Sequence, residues 1–130
     1  MVLFIDTTDF ESVRIALVQE ENILEKSWQV EKRVSETLLK KIKELFKRKK
    51  VKFQDLKKIV TVKGPGSFSR TRTGVVAANA LGFALDIPIV GLKKDEIPQN
   101  LVKLLHLKGE KTSVKPFYSK PANITKPKKK

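Results

Sequence analysis

Residues 74–85 form a stretch in which Asn79 is the only polar side chain, and half of its positions are alanine or glycine. The composition predicts a helix, and a helix that is apolar on every side has no face suited to water. A helix needs about 20 apolar residues to cross a bilayer, so this one is too short to span it. We therefore expect a sheet to cover one side, and either another helix of the chain or a partner protein to cover the other.

Short apolar runs elsewhere in the chain predict the strands of that sheet. Residues 2–6, 59–62 and 89–92 are rich in valine, isoleucine and leucine, as buried strands are. Residues 12–19 alternate between apolar and polar side chains, and residues 23–30 do so more loosely after a polar turn. The chain should therefore open with a three-stranded antiparallel meander.

A first helix is predicted over residues 35–49, after the meander. Ser35 is expected to be its N-cap, with a hydrophobic staple between Val34 and Leu39. Its apolar side chains recur at the spacing of one buried stripe: Leu38, Leu39, Ile42, Leu45 and Phe46. The resulting order β, β, β, α, β, α, β predicts an α/β fold with a mixed five-stranded sheet.

A tight turn at residues 64–66, with the sequence Gly-Pro-Gly, precedes the second helix. That helix is predicted over residues 70–85, with its N-terminus capped by Ser67 or Ser69. The turn lacks the Gly-Lys-Ser/Thr of a phosphate-binding P-loop, which favours a structural role for it.

The element order is half of the two-lobed actin-like ATPase fold, whose lobes are ribonuclease H-like. Residues 4–8, Phe-Ile-Asp-Thr-Thr, resemble the opening Asp-Thr-Ser of the TsaB (YeaZ) family. Residues 64–74 resemble that family's signature Gly-Pro-Gly-Ser-Phe-Thr-Gly-Leu-Arg-x-Gly, with departures at positions 69–71. The matching signature residues are Gly64, Pro65, Gly66, Ser67, Phe68, Arg72 and Gly74. Residues 35–39 and 86–91 are also similar to family segments, so the likeness spans residues 2–92.

This resemblance implies a role in making threonylcarbamoyladenosine beside the anticodon of certain tRNAs. TsaB is there a non-catalytic subunit that pairs with its catalytic relative TsaD through the two helices, and the ATPase TsaE and tRNA join the complex. The residues expected to contact TsaD are Ser35, Leu38, Leu39, Ile42, Thr73, Val76, Ala77, Ala80 and Leu81. A homodimer through the same helices is expected when the partner is missing. No catalytic residue, metal or cofactor is expected.

Members of the TsaB family are nearly twice as long as these 130 residues and possess a second, similar lobe. We therefore expect a single actin-like lobe at residues 1–92, a short helical extension at 93–107 and a basic, partly extended tail at 108–130. Because an actin-like ATPase closes two lobes on its nucleotide, a single lobe is not expected to hydrolyse ATP. The lack of cysteine and of a signal peptide is compatible with a cytoplasmic protein.

Positive charge is concentrated in two blocks of the sequence. Residues 40–63 contain 11 basic and 2 acidic side chains, and residues 108–130 contain 8 basic and 1 acidic side chains. The whole chain has a net charge of +14. Such blocks attract polyanions, although a solvated helix face and a solubilising tail explain them equally well. The chain is thus either the TsaB-like scaffold or a stand-alone basic RNA-binding module, with RNA contacts expected at Lys47, Arg48, Lys49, Lys50 and Lys52.

Arg70 and Arg72 lie in the first turns of the second helix, where the helix dipole disfavours positive charge. A negatively charged partner group should therefore offset the unfavourable interaction of each arginine with the dipole. An acidic side chain of this chain or of TsaD, or an RNA phosphate, would serve.

Overall fold

A computed structural model describes residues 1–30 and 33–117 of the chain. Five strands form one mixed sheet in the order β3-β2-β1-β4-β5. Their bounds are Val2–Asp6 (β1), Ser12–Gln19 (β2), Asn22–Gln29 (β3), Lys58–Gly64 (β4) and Ile89–Lys93 (β5). Strand β2 pairs antiparallel with both β1 and β3, whereas β4 pairs parallel with both β1 and β5. The predicted α/β lobe with a mixed five-stranded sheet is confirmed.

Strand β1 lies at the centre of this sheet, and all five of its residues are buried. Because successive side chains of a strand point to opposite faces, the strand contributes to two separate cores. Leu3 and Ile5 belong to the core beneath the helices, whereas Val2 and Phe4 belong to the core on the other face. Both faces of the sheet therefore need a covering layer.

Two helices, α1 (Val34–Lys49) and α2 (Phe68–Leu85), cover the first face. The stripe predicted for α1 contributes Leu38, Ile42, Leu45 and Phe46 to the core. Leu39 does not belong to this stripe, since its side chain remains 48% exposed. From α2, Val75 and Ala78 are buried, and Gly82 lets the helix approach Ile89 of β5 closely.

The second face is covered by a 3₁₀ helix, Leu101–His106. Leu101 and Leu104 are buried against Phe4 and the other apolar residues of that face. The Lys58 ammonium, at the start of β4, donates hydrogen bonds to the backbone carbonyls of Leu105, at 3.2 Å, and of Leu107. The segment expected to be a short helical extension of the lobe thus supplies half of the sheet's cover.

The N-terminus of α1 differs from the prediction. Its N-cap is Arg33, without a side-chain capping bond, so the prediction that Ser35 caps α1 is wrong. The predicted staple is also wrong, because Val34 is the first residue of the helix and not the residue before the N-cap; it is buried in the core, whereas Leu39 is 48% exposed. Burial of Val34 determines where this helix begins.

Helix α2 begins at Phe68, two residues earlier than predicted, with Ser67 at the N-cap position. The Ser67 hydroxyl makes no capping bond, and its backbone N–H donates instead to the carbonyl of Thr8, at 2.8 Å. The start of α2 is therefore set by the backbone of the preceding turn.

After β5 the chain returns along the edge of the sheet. Glu110 forms an isolated antiparallel bridge with Ile89 of β5, and the Phe117 N–H donates to the carbonyl of Lys63. We refer to residues 110–117 as the strap. The rest of the predicted tail, residues 118–130, lies outside the described residues.

Replacing Lys58 should change how stability depends on pH. Burial lowers the pKa of Lys58 from its ordinary value of 10.5. Between the lowered pKa and 10.5 the unfolded chain binds more protons than the folded one, so the free energy of unfolding rises with pH in that window. In Lys58→Met this rise should be reduced, as measured by urea unfolding at a series of pH values.

The neighbouring Lys57 provides a matched control, because its side chain is exposed. Lys57→Met should keep the pH dependence of the wild-type chain. A Lys58→Met profile that runs parallel to the wild-type profile would contradict the assignment.

Candidate protein-interaction site

A groove of about 460 Å³ lies between the N-terminal halves of α1 and α2. We call it the helix groove. Its lining is largely apolar, with hydroxyl groups and one guanidinium among the residues that form it: Ser35, Leu38, Leu39, Phe68, Ser69, Arg72, Thr73, Val76 and Ala77. Three of its large apolar side chains are open to solvent, with Leu39 and Phe68 each 48% exposed and Val76 61% exposed, whereas Leu38 is buried at its base.

The structure brings six of the nine residues expected to contact a partner together around this groove: Ser35, Leu38, Leu39, Thr73, Val76 and Ala77. Ala80 is exposed one turn farther along α2, and Leu81 is half-buried against the chain's own core. Ile42 lies inside that core with no exposed surface, because it belongs to the buried stripe of α1. Ile42 is therefore removed from the candidate site.

Phe83 was missed as a candidate surface residue, although it is 90% exposed. It stands seven residues after Val76, with Ala80 between them, so the three share one face of α2. That spacing was readable in the sequence. The apolar composition of the helix concealed it, because the one polar residue of this stretch, Asn79, does not lie on the outer face.

The signature residues tie the end of β1 to the start of α2. A side-chain carbon at Gly66 would lie 2.3 Å from the carbonyl oxygen of Thr8, and one at Gly74 would lie 2.2 Å from the Thr7 hydroxyl. That hydroxyl donates a hydrogen bond of 2.6 Å to the carbonyl of Arg70. Both glycines are thus required by close packing, and α2 is held firmly against the sheet.

The polar residues at the end of β1 are engaged with one another. Thr8 donates to one carboxylate oxygen of Asp6 from its backbone N–H, at 3.0 Å, and from its hydroxyl, at 2.6 Å. The Lys94 ammonium in turn donates to the Thr8 hydroxyl, at 2.8 Å. Within residues 1–30 and 33–117, no group of three or more His, Cys, Asp or Glu side chains is placed to hold a metal ion.

The two arginines of α2 have different surroundings, and neither forms an ion pair with an acidic side chain of residues 1–30 and 33–117. One guanidinium nitrogen of Arg70 donates to the carbonyl of Val30, at 2.7 Å, while the Nη1 atom is buried without a partner among the described residues. The Arg72 guanidinium lies 5.8 Å from the centre of the Phe68 ring, a cation–π contact at the rim of the helix groove.

The residues expected to bind RNA gather at the C-terminal end of α1. Lys47, Arg48, Lys50 and Lys52 are exposed, and Lys49 is half-buried. None of them forms an ion pair with another described residue. The basic residues of the last turn complement the negative end of the helix dipole, which gives them a structural role as well.

Comparison with known proteins agrees with this geometry. A family model described as "TsaD: tRNA N6-adenosine threonylcarbamoyltransferase" matches residues 28–97, more than half of the chain. The chain is 37% identical over 89 residues to the tRNA threonylcarbamoyladenosine biosynthesis protein TsaB of Bacillus subtilis, covering 68% of the chain and 38% of that protein. It is 31% identical over 78 residues to the protein of the same name from Buchnera aphidicola, covering 60% and 35%.

The chain belongs to the TsaB (YeaZ) family. Among solved structures, YeaZ from Pseudomonas aeruginosa is similar to it with a TM-score of 0.67 and 25% identity, over 71% of this chain and 44% of that one. A crystal structure of an uncharacterized protein with similarity to peptidase YEAZ from Pseudomonas aeruginosa gives a TM-score of 0.68 and 25% identity, over 71% and 42%. This TsaB-family chain spans less than half the length of each of these relatives. None of the helices in its described part is long and apolar enough to cross a membrane.

The signature glycine Gly74 of this TsaB-family chain provides a test of the packing between β1 and α2. Gly→Ala within a helix usually stabilises a protein by about 1 kcal/mol. Here the added methyl group would overlap the Thr7 hydroxyl, and overpacking of this kind typically costs about 1–3 kcal/mol. We expect Gly74→Ala to be destabilising in urea unfolding.

The double variant Thr7→Ala, Gly74→Ala removes the overlap between the hydroxyl and the added methyl group. Its loss of unfolding free energy should therefore be smaller than the sum of the losses in the two single variants. A Gly74→Ala protein as stable as the wild type would show that this close packing is not needed.

Proposed function

We propose that this chain is a non-catalytic subunit in the biosynthesis of tRNA threonylcarbamoyladenosine, and that it binds the catalytic subunit TsaD through the helix groove and the outer face of α2. The observation that carries the proposal is the line of exposed apolar side chains on two helices that are themselves firmly packed on the sheet. The pathway is supported by the names of the relatives, both of which are TsaB proteins.

The exposed face has the composition of a protein interface. Leu39, Phe68, Val76 and Phe83 are large apolar side chains in contact with solvent, and Ala80 lies between the last two. Contiguous exposed apolar surface of this kind marks interaction sites in soluble proteins. The polar groups at the rim, such as Arg72 and Ser35, suit the outer part of an interface, where water remains.

TsaD is the partner that the family relationship favours. The matched family model carries the TsaD description, and the resemblance implies that TsaB pairs with TsaD, to which it is structurally similar, through these two helices. In the same proposal TsaE and tRNA reach this chain through the assembled complex. A second copy of the chain is the competing occupant of the same face.

The chain is proposed to act without performing chemistry itself. The polar groups at the end of β1, which would be the natural place for a reactive group, hold the turn together: Asp6 accepts two hydrogen bonds from Thr8, and Thr7 bonds to α2. Its contribution to the reaction would be to stabilise TsaD and to hold the other components near it.

The interface can be tested with Val76→Glu. Val76 is mostly exposed, so the substitution should leave the fold intact, but the complex would have to desolvate a carboxylate within an apolar interface, which costs free energy even with Arg72 one turn away. A penalty of about 3 kcal/mol corresponds to an affinity for TsaD that is about 100-fold weaker. The wild-type chain should form a one-to-one complex with TsaD of its own organism in light scattering, and Val76→Glu should not at the same concentration.

Ile23→Glu is the matched control. Ile23 is also an exposed aliphatic residue, but it lies on the edge strand β3 and not on either helix. It should bind TsaD as the wild type does. Equal binding by Val76→Glu and the wild type would remove the helix groove from the proposal. A wild-type chain that remains a homodimer in the presence of TsaD would exclude TsaD as the partner of this face.

A second candidate function, stand-alone RNA binding, is supported by the exposed basic residues at the end of α1. Lys47, Arg48, Lys50 and Lys52 have no ion-pair partner among the described residues and are free to contact phosphates. Binding that depends on such contacts weakens steeply as salt is raised, because counterions are released from the nucleic acid.

If this second function holds, the chain alone should bind tRNA in filter binding at low salt. Replacing Lys47, Arg48 and Lys50 by glutamine should then lower the slope of log K against log salt by about 0.9 for each duplex phosphate that is no longer neutralised. Absence of binding at low salt would eliminate the stand-alone function while leaving the scaffold unaffected.

A further inference from the structure

Asn79, the one polar side chain in the apolar part of helix α2, pairs with the backbone of the strap. Its amide nitrogen donates to the carbonyl of Val114, and its amide oxygen accepts from the N–H of the same residue, each at 2.9 Å. A side-chain amide that satisfies both polar groups of one residue binds an extended backbone and is indifferent to the side chain attached to it. Asn79 therefore has the properties of a peptide-recognition group.

The edge strand β5 completes the same site. Ile89 and Glu110 exchange two backbone hydrogen bonds, of 2.9 and 3.2 Å, so the start of the strap adds to the edge of the sheet. Addition of an extended segment to a sheet edge is a recurrent mode of peptide binding, in which the backbone bonds provide affinity and side-chain pockets provide selectivity.

The pockets for side chains are formed by a glycine and a lysine. A side-chain carbon at Gly91 would lie 2.6 Å from a methyl group of Val114, so the absence of a side chain there creates the space that Val114 fills. Three residues after Val114, the ring of Phe117 has its centre 4.5 Å from the Lys93 ammonium. The site thus suits a valine followed after two residues by an aromatic side chain.

Between these anchors the strap is loosely held. Lys111, Thr112, Ser113 and Lys115 are exposed, and the ion pair between Lys111 and Asp86 is largely exposed on both sides. Exposed ion pairs contribute little, and segments with few buried contacts open far more readily than the core does. The strap is therefore attached through Glu110, Val114 and Phe117, with exposed residues between them, and Val114 also packs against the core beneath the helices.

We propose that the surface between β5 and α2 is a docking groove for an extended peptide of the form Val-x-x-Phe, and that residues 110–117 are its intramolecular ligand. The strap opens while the sheet and both helices stay folded, and the vacated groove then accepts the same sequence from a separate chain. This proposal involves neither the helix groove nor TsaD, so it stands or falls separately from the proposed function.

The test uses the full chain with Val114→Lys, which places a second positive charge beside Lys63 at the Gly91 site and should release the strap. A fluorescein-labelled peptide with the sequence of residues 108–117 is added and its anisotropy measured. It should bind Val114→Lys at least tenfold more tightly than the wild type, whose groove is occupied. Adding Asn79→Ala to Val114→Lys should abolish binding, and so should replacing the valine of the peptide by lysine.

Equal binding of the peptide to Val114→Lys with and without Asn79→Ala would overturn the proposal, as would no binding to a folded Val114→Lys chain. Hydrogen exchange provides a measurement that does not need the strap to be released by a charge. In Asn79→Ala the amide of Val114 should exchange at least tenfold faster than in the wild type, while the amides of β1 are unchanged. Faster exchange in β1 as well would show that the strap is part of the core fold, and would also overturn the proposal.

Discussion

Burial of the central strands on both faces is the constraint on which the rest of the structure depends. Every residue of β1 is buried, and β4 beside it is nearly so. One layer comes from α1 and α2, and the other from the 3₁₀ helix Leu101–His106, whose end is fixed by the hydrogen bonds of Lys58. The position of α2 follows, because glycine and threonine contacts draw it against β1 and leave its opposite face outward.

Helix α2 uses small residues for two purposes. On the inner face Gly74, Ala78 and Gly82 allow the helix to lie close to the sheet, whereas on the outer face Ala80 leaves a flat area between Val76 and Phe83. A flat, rigid, apolar helix face is well suited to packing against another helix, since ordering it on contact costs little side-chain entropy. The function we propose accordingly depends on a surface and not on a reactive group.

The order of strands and helices was predictable because hydrophobic periodicity records which side chains are buried, and the turn at residues 64–66 marks the start of α2. The errors occurred where tertiary packing outweighs local signals. Ser35 is a good capping residue, yet burial of Val34 moved the start of α1. Ile42 has the spacing of a helix face, but spacing does not say whether a face meets the chain's own sheet or a partner. Lys58 and Asn79 bond to residues 35 to 49 positions away, and such pairings leave no mark in a local window.

The two edges of the sheet are protected in different ways. The strap shields part of β5, whereas β3 has no neighbouring strand on its outer side within the described part of the chain. In the middle of β3, Glu25 and Lys26 form ion pairs with Arg14 and Glu44 respectively. A second β3 strand that approached this edge in antiparallel or parallel register would have to accommodate charged side chains at its centre. The charges on β3 therefore oppose amyloid-like stacking of a lobe that carries a large apolar surface elsewhere.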